Sequence, residues 1–265
     1  MTRIHPTAII SPLAEIDEDV TIGAYSVVGD AARVEKGSVL HTHVIIEPNT
    51  SIGANCEIWP GAILGGIPQD RKFKGENSHL IIGKNNIIRE CVTIHRAAGA
   101  GQETRVGDDN LIMAYSHIGH NCTLGSGITM ANMVGIAGHA IIEDRVTVGG
   151  FVGIHQFARI GKLAMLGGYS KVVQDVPPFM MADGRPADVI DLNTIGLRRS
   201  GVSSAVRINL KQAYKLLYRS KMNVSQALGV IEADIPSSPE LDYLLDFMKN
   251  IRLGFGGRQK DKPRG

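Results

Sequence analysis

The chain has 265 residues, of which 43% are hydrophobic, 5% aromatic and 20% charged, with a formal net charge of +2. That is ample apolar material for a core, and the charge balance carries no nucleic-acid footprint and excludes a strongly acidic or disordered protein. No run approaches the ~20 apolar residues of a membrane span, and three cysteines (Cys56, Cys91, Cys122) make no disulfide framework, which points to a reducing compartment.

The first residues, MTRIHPTAII SPLAEID, lack a basic stretch followed by an apolar one and read against a secretory leader. From Ile4 an aliphatic residue recurs every six positions through Leu64. The series lapses at Asp70 and Glu76, resumes at Ile82, Ile88 and Ile94, lapses at Ala100, and then runs unbroken from Val106 to Val172, giving 26 hexads. Four residues after each aliphatic the side chain is small or modest, as at Ala8, Ala14, Val20, Ser26, Cys56, Cys122 and Ala158, which fits a tight inward corner. The residue just after the aliphatic is often glycine (Gly23, Gly53, Gly161) and reads as a turn glycine with positive φ. A period of six is neither helical nor a simple alternation, so one long helix and one flat sheet are both excluded.

This pattern resembles the hexapeptide-repeat family of left-handed parallel β-helices. The resemblance implies a mainly β fold in which three hexads form a triangular coil of 18 residues. Nearly nine such coils over residues 1–176 would stand roughly 40 Å tall, with the aliphatics stacked into one continuous core. Two segments break the rhythm and are expected as ejected loops, GGIPQDRKFKGENSHL at 65–80 and RAAGAGQET at 96–104. Loops leaving a solenoid commonly lie on its binding face, and the first carries Asp70, Arg71, Lys72 and Lys74.

Beyond Val176 the rule stops at Pro177-Pro178, and residues 177–265 are expected to form an α-helical C-terminal domain. Val206, Leu210, Ala213, Tyr214 and Leu217 make one apolar stripe. Asn223 and Ser225 can cap a short helix before Gly229, with another in IEAD. Ser238 reads as an N-cap, with Pro239 and Glu240 opening the last helix. The tail GGRQKDKPRG is expected to fray.

Stacking at 18-residue intervals puts His120, Gly138 and Gln156 in one column, Asn121, His139 and Phe157 in the next, and Gly119, Ala137 and His155 in the third, with His117 alongside. Four of the nine histidines converge on one corner. Cys122, in a small inward position, is expected to pack rather than react, and Asp175 to serve a turn.

The series IPQDRKFKGE, VTIHR, SHIGHNCTLG, AGHAIIED, IHQFARIG, GGYSKVVQDVPP, NTIGLRRSG and AYKLLYRS resembles the UDP-N-acetylglucosamine O-acyltransferases over nearly the whole chain. The resemblance implies a cytoplasmic homotrimer without a cofactor or metal. It implies transfer of a (3R)-3-hydroxyacyl group from acyl carrier protein to the glucosamine 3-hydroxyl of UDP-N-acetylglucosamine, the first step of lipid A synthesis. By the same resemblance His120 is the general base and Gly138 the oxyanion donor. Asp70, Lys72, His117, His139, His155, Gln156, Asn193 and Arg199 line the substrate site, and Gly168 limits acyl-chain length. Two departures stand out: Asn121 and Ser200 replace a more usual Asp and Arg. The alternatives are N-acylation of a 3-amino analogue of the sugar and a zinc hydrase of the gamma carbonic anhydrase type using His117, His120 and His139.

Overall fold

A computed structural model of the chain describes residues 1–253. Twenty-six short strands, one for each hexad, form the three faces of a left-handed parallel β-helix. The first and second sheets contain nine of these strands each and the third contains eight. Ile118 pairs with Ile136 and Ile136 with Ile154, eighteen residues apart. The inward aliphatics, Ile46, Ile58, Leu64, Ile94, Ile118 and Ile136 among them, are fully buried. Each such side chain stabilises the fold by ~1.5–3 kcal/mol relative to exposure.

The turn chemistry differs from the expected one. Gly23, Gly53 and Gly161 do not have positive φ; a side chain there would drive into the backbone of the next coil, 2.7 Å from His41 C in the case of Gly23. The left-handed residue instead lies three positions before the inward aliphatic at most corners. Asp19, Tyr25, Ala31, Asn55, Tyr115, Asn121, Met133 and Phe151 all adopt φ of 53–61° there. Among the described residues none of the non-glycine residues so placed is β-branched, as the steric cost of that region requires.

Both loops are shorter than expected, because strand pairing consumes their ends. The second-sheet strands Ile63–Gly66 and Thr93–His95 run outward, and the third-sheet strands His79–Ile82 and Glu103–Val106 return, leaving loops at 67–78 and 96–102. Ile52 pairs with Ile82 thirty residues on, and Ile82 with Val106 twenty-four on. The ejected segments are therefore two hexads and one hexad long, so the inward phase survives both interruptions. Both loops leave from the same edge, between the second and third sheets.

The chain past Val176 is not helical at once. A hairpin of strands Met180–Gly184 and Ala187–Leu192 extends the first sheet before any helix forms, Met165 pairing with Met181. Four helices follow: α1 (Thr194–Arg199), α2 (Ser204–Tyr218), α3 (Val224–Asp234) and α4 (Pro239–Leu253). α3 is one helix running through Gly229 rather than two short ones, opened by a capping box between Asn223 and Gln226. Ser238 Oγ accepts from the Leu241 N–H at 3.2 Å, as an N-cap does. Leu210, Tyr214, Ile231, Leu241 and Leu244 form a second core. Glu143 ties α4 to the prism, accepting from Tyr243 Oη at 2.7 Å and from Arg159 Nε at 2.7 Å. The tail 256–265 lies outside the described residues.

Candidate active site

The columns inferred from 18-residue stacking are present. His139 donates its backbone N–H to His120 O at 3.0 Å, and Phe157 its own to Gly138 O at 3.2 Å. The His139 and Phe157 rings stack at 4.8 Å, and the His120 ring meets His139 edge-on at 5.2 Å. These residues stand on the edge from which both loops leave. A cleft of about 600 Å³ opens beside them, lined by His117, His120, Gly138, His155 and Gln156, with Gln69 from the first loop.

Within it His120 has a defined tautomer. Its Nδ1 lies 2.8 Å from Asn121 Oδ1. That atom is identified as the oxygen because Ala98 donates its backbone N–H to it at 2.9 Å, while Asn121 Nδ2 donates to Ala98 O at 3.1 Å. An amide oxygen only accepts, so His120 carries its hydrogen on Nδ1 and presents a lone pair on Nε2. Gly138 sits against that face: a Cβ there would be 2.8 Å from His120 Nε2 and Cε1. The Gly138 N–H has no acceptor among the described residues. It occupies the second position after an inward aliphatic, where the lower coils carry Pro6, Pro12, Pro48 and Pro60. The coil does not require an N–H at this position, although Lys84, Asp108, Ser126 and Lys162 each donate theirs to a side chain there; at Gly138 it is free to hold an anion.

Three neighbouring imidazoles are held below the usual histidine range. Burial, then the charge of His120, lowers the pKa of His117, whose Nδ1 is 2.8 Å from Thr93 Oγ1. His139 is lowered by burial and by His120, against a smaller opposing pull from Asp70. His95 is pushed down to about 4 by burial, with His117 and His120 adding to it; its ring meets His117 at 4.8 Å. His95 is a site residue that 18-residue stacking misses. The one-hexad loop after it lengthens the interval to 24, which sets Ile94 beside Ile118 and so His95 under Gly119.

Asp70 closes a turn in the first loop, its Oδ1 accepting the Lys72 N–H at 2.9 Å and its carbonyl the Phe73 N–H at 3.0 Å, and Lys72 is exposed. Besides Asp70, Lys72 and His139, three more expected site residues do not line this cleft. Asn193 caps α1, its Oδ1 accepting from the Gly196 N–H at 3.0 Å and its Nδ2 donating to Leu163 O at 2.8 Å, so both amide atoms are used by the fold. Arg199 is exposed in the last turn of α1. Gly168 stands on another edge, between the first and second sheets, 3.4 Å from Gly150 O by its ideal Cβ. Cys122 is packing: burial pushes its thiol up to about 12 and Sγ donates to Ala137 O at 3.2 Å. Asp175 accepts the Arg159 N–H at 2.8 Å as the chain leaves the prism.

Residues 175–255 match the family model for domain 2 of UDP-N-acetylglucosamine O-acyltransferase, and residues 103–138 match the six-repeat bacterial transferase hexapeptide. An acyl-[acyl-carrier-protein]–UDP-N-acetylglucosamine O-acyltransferase from Thermodesulfovibrio yellowstonii is 49% identical over 255 residues, covering 96% of this chain and 99% of that one. The chain belongs to this family. A UDP-N-acetylglucosamine O-acyltransferase structure from Moraxella catarrhalis superposes with a TM-score of 0.89 at 42% identity, covering 93% of this chain and 96% of that one. The family's counterpart from Francisella novicida gives 0.87 at 37% identity over 92% and 90%. The zinc alternative is not favoured by these relatives, which are named as O-acyltransferases.

Proposed function

We propose that the chain transfers a (3R)-3-hydroxyacyl group from acyl carrier protein to the glucosamine 3-hydroxyl of UDP-N-acetylglucosamine, the step that opens lipid A synthesis. The observation that carries this reading is the His120–Gly138 pair, a lone pair on Nε2 beside a backbone N–H that nothing else uses. His120 Nε2 takes the proton of the sugar hydroxyl as its oxygen attacks the thioester carbonyl. The Gly138 N–H holds the resulting oxyanion. Collapse breaks the C–S bond, and His120 returns the proton to the leaving sulfur. Asp70, Lys72, His117, His139, His155 and Gln156 hold the nucleotide sugar and the donor around this centre. A purified preparation given UDP-N-acetylglucosamine and a 3-hydroxyacyl carrier thioester should yield the 3-O-acyl product by mass spectrometry. Product only from the 3-amino sugar would replace this reading with N-acylation.

The working unit in this reading is a cytoplasmic homotrimer, with the site shared between copies. Gly168, Asn193 and Arg199 belong to it through a neighbouring chain, since Gly168 stands on another edge of the prism and the other two cap and end α1. Mixed trimers of His120→Ala and Gly168→Trp chains are expected to recover part of the transfer of full-length acyl groups that neither parent performs. Absence of recovery after verified subunit exchange would count against a shared site.

Chain length offers a separate check. Gly168 and Gly150 leave the wall of their edge bare, so a long donor of about twelve or more carbons is expected. Two further buried methylenes are worth roughly 1.6 kcal/mol, or about fifteenfold in preference. In competition between ten- and fourteen-carbon donors the longer should win, and Gly168→Met should reverse the order. A ten-carbon preference in the unaltered protein would place the limit elsewhere, with Met165 and the exposed Tyr169, stacked on Phe151 at 4.8 Å, as the neighbours to test.

A further inference from the structure

The second ejected loop contributes no side chain to the cleft, yet it is held in detail. Its start is fixed by Arg96 N–H donating to Gly66 O at 3.1 Å, and Ala97 N–H to His79 O at 3.3 Å. Ser78 Oγ donates to Ala97 O at 2.5 Å, and Gly101 N–H to Asn77 O at 2.8 Å. The next residue, Ala98, presents its own N–H and C=O side by side to the Asn121 amide. A donor and an acceptor so paired fit a carboxamide in one orientation only. A carboxylate, which only accepts, would oppose an oxygen to Ala98 O. Thr104, buried where the loop rejoins the prism, accepts the Asn121 N–H at 2.8 Å.

We infer that loop 96–102 is a backbone clamp that reads the Asn121 amide and, by orienting it, keeps the proton of His120 on Nδ1. Neutral imidazole in water favours hydrogen on Nε2, the atom that must be bare in a base. The clamp reverses that preference without introducing a charge. It also gives Asn a reason at a position where an Asp alone would suffice to accept from Nδ1–H: this loop reads the amide. The inference rests on His120 being the base of the proposed transfer, but the tautomer it specifies is measurable without turnover.

The test is nitrogen-15 NMR of ring-labelled histidine in the full-length protein, with the His120 resonances assigned by their loss in His120→Gln. In the unaltered protein His120 should be the Nδ1–H tautomer, and Asn121→Ala should return it toward Nε2–H. Asn121→Asp should keep Nδ1–H, since a carboxylate still accepts from it, while amide exchange in residues 96–102 speeds up because the Ala98 pairing is broken. In kinetics Asn121→Ala should lower kcat about 10–100-fold with KM nearly unchanged, the usual cost of removing an orienting partner. Asn121→Asp should raise the acid limb of the kcat/KM profile, because an adjacent carboxylate favours imidazolium. An Nε2–H tautomer in the unaltered protein, or the same tautomer in Asn121→Ala, would overturn the inference even with acyl transfer intact. The expected tautomer shift in a protein without acyl transfer would uphold the clamp and defeat the proposed function instead.

Discussion

Replacing His120 with alanine is expected to reduce acyl transfer by about 10²–10⁴-fold, the range for loss of a positioned general base. The cause is specific to one atom. Nε2 carries a lone pair beside the free Gly138 N–H, and its tautomer is set from the other side of the ring, through Nδ1 and Asn121 Oδ1 at 2.8 Å. His117 and His95 cannot substitute: burial holds both below the usual histidine range, and a base of lower pKa accepts a proton less readily. The fold should survive, because His120 faces outward at an edge while the neighbouring Ile118 and Cys122 fill the core. The measurement is kcat/KM in a purified variant whose circular dichroism and oligomeric state match the unaltered protein. Activity within threefold of the starting value would remove His120 from the mechanism.

The prism was legible because one physical constraint repeats. An inward side chain every six residues must be aliphatic, and even the lapses at Asp70, Glu76 and Ala100 count the ejected hexads correctly, as the pairings Ile52–Ile82 and Ile82–Val106 record. The turns are not legible in the same way, because glycines such as Gly23 answer to crowding by the next coil and not to backbone handedness. The left-handed corners are filled by Asp, Asn, Tyr, Phe, Met and others, and their shared signal is a missing class, the β-branched residues. The hairpin at 180–192 was hidden by the prolines before it. Pro177 and Pro178 end the hexads, but strand pairing resumes from Met180, and the antiparallel partner has no sixfold period to announce it.

For the site, uninterrupted coils were readable and interrupted ones were not. His120, His139 and His155 lie above the loops, where the interval is a constant 18 residues, and they stack as the arithmetic requires. His95 lies one loop below, so its partner is 24 residues away and it appears unrelated to the cluster. Ala98 carried no signal at all, since it acts through backbone atoms that any residue possesses.

The second large effect is expected at Gly138, where two substitutions separate two roles. Alanine adds a Cβ 2.8 Å from His120 Nε2 and Cε1, well inside ordinary contact. The ring is held by Asn121 on its far side, so the strain falls on the geometry of base and oxyanion donor together, and a displacement of this order costs about 10²-fold. Alanine keeps the N–H. Proline adds the same Cβ and removes the N–H, and the coil tolerates it, since Pro6, Pro12, Pro48 and Pro60 occupy the equivalent position of other coils. Gly138→Pro should therefore fold like Gly138→Ala, with a comparable melting temperature, and lose a further 10²–10³-fold in kcat, about what one oxyanion donor supplies. The comparison that decides is kcat for the proline variant against the alanine variant. Equal rates would mean that the oxyanion finds its donor elsewhere and that Gly138 serves only to leave room for the His120 ring.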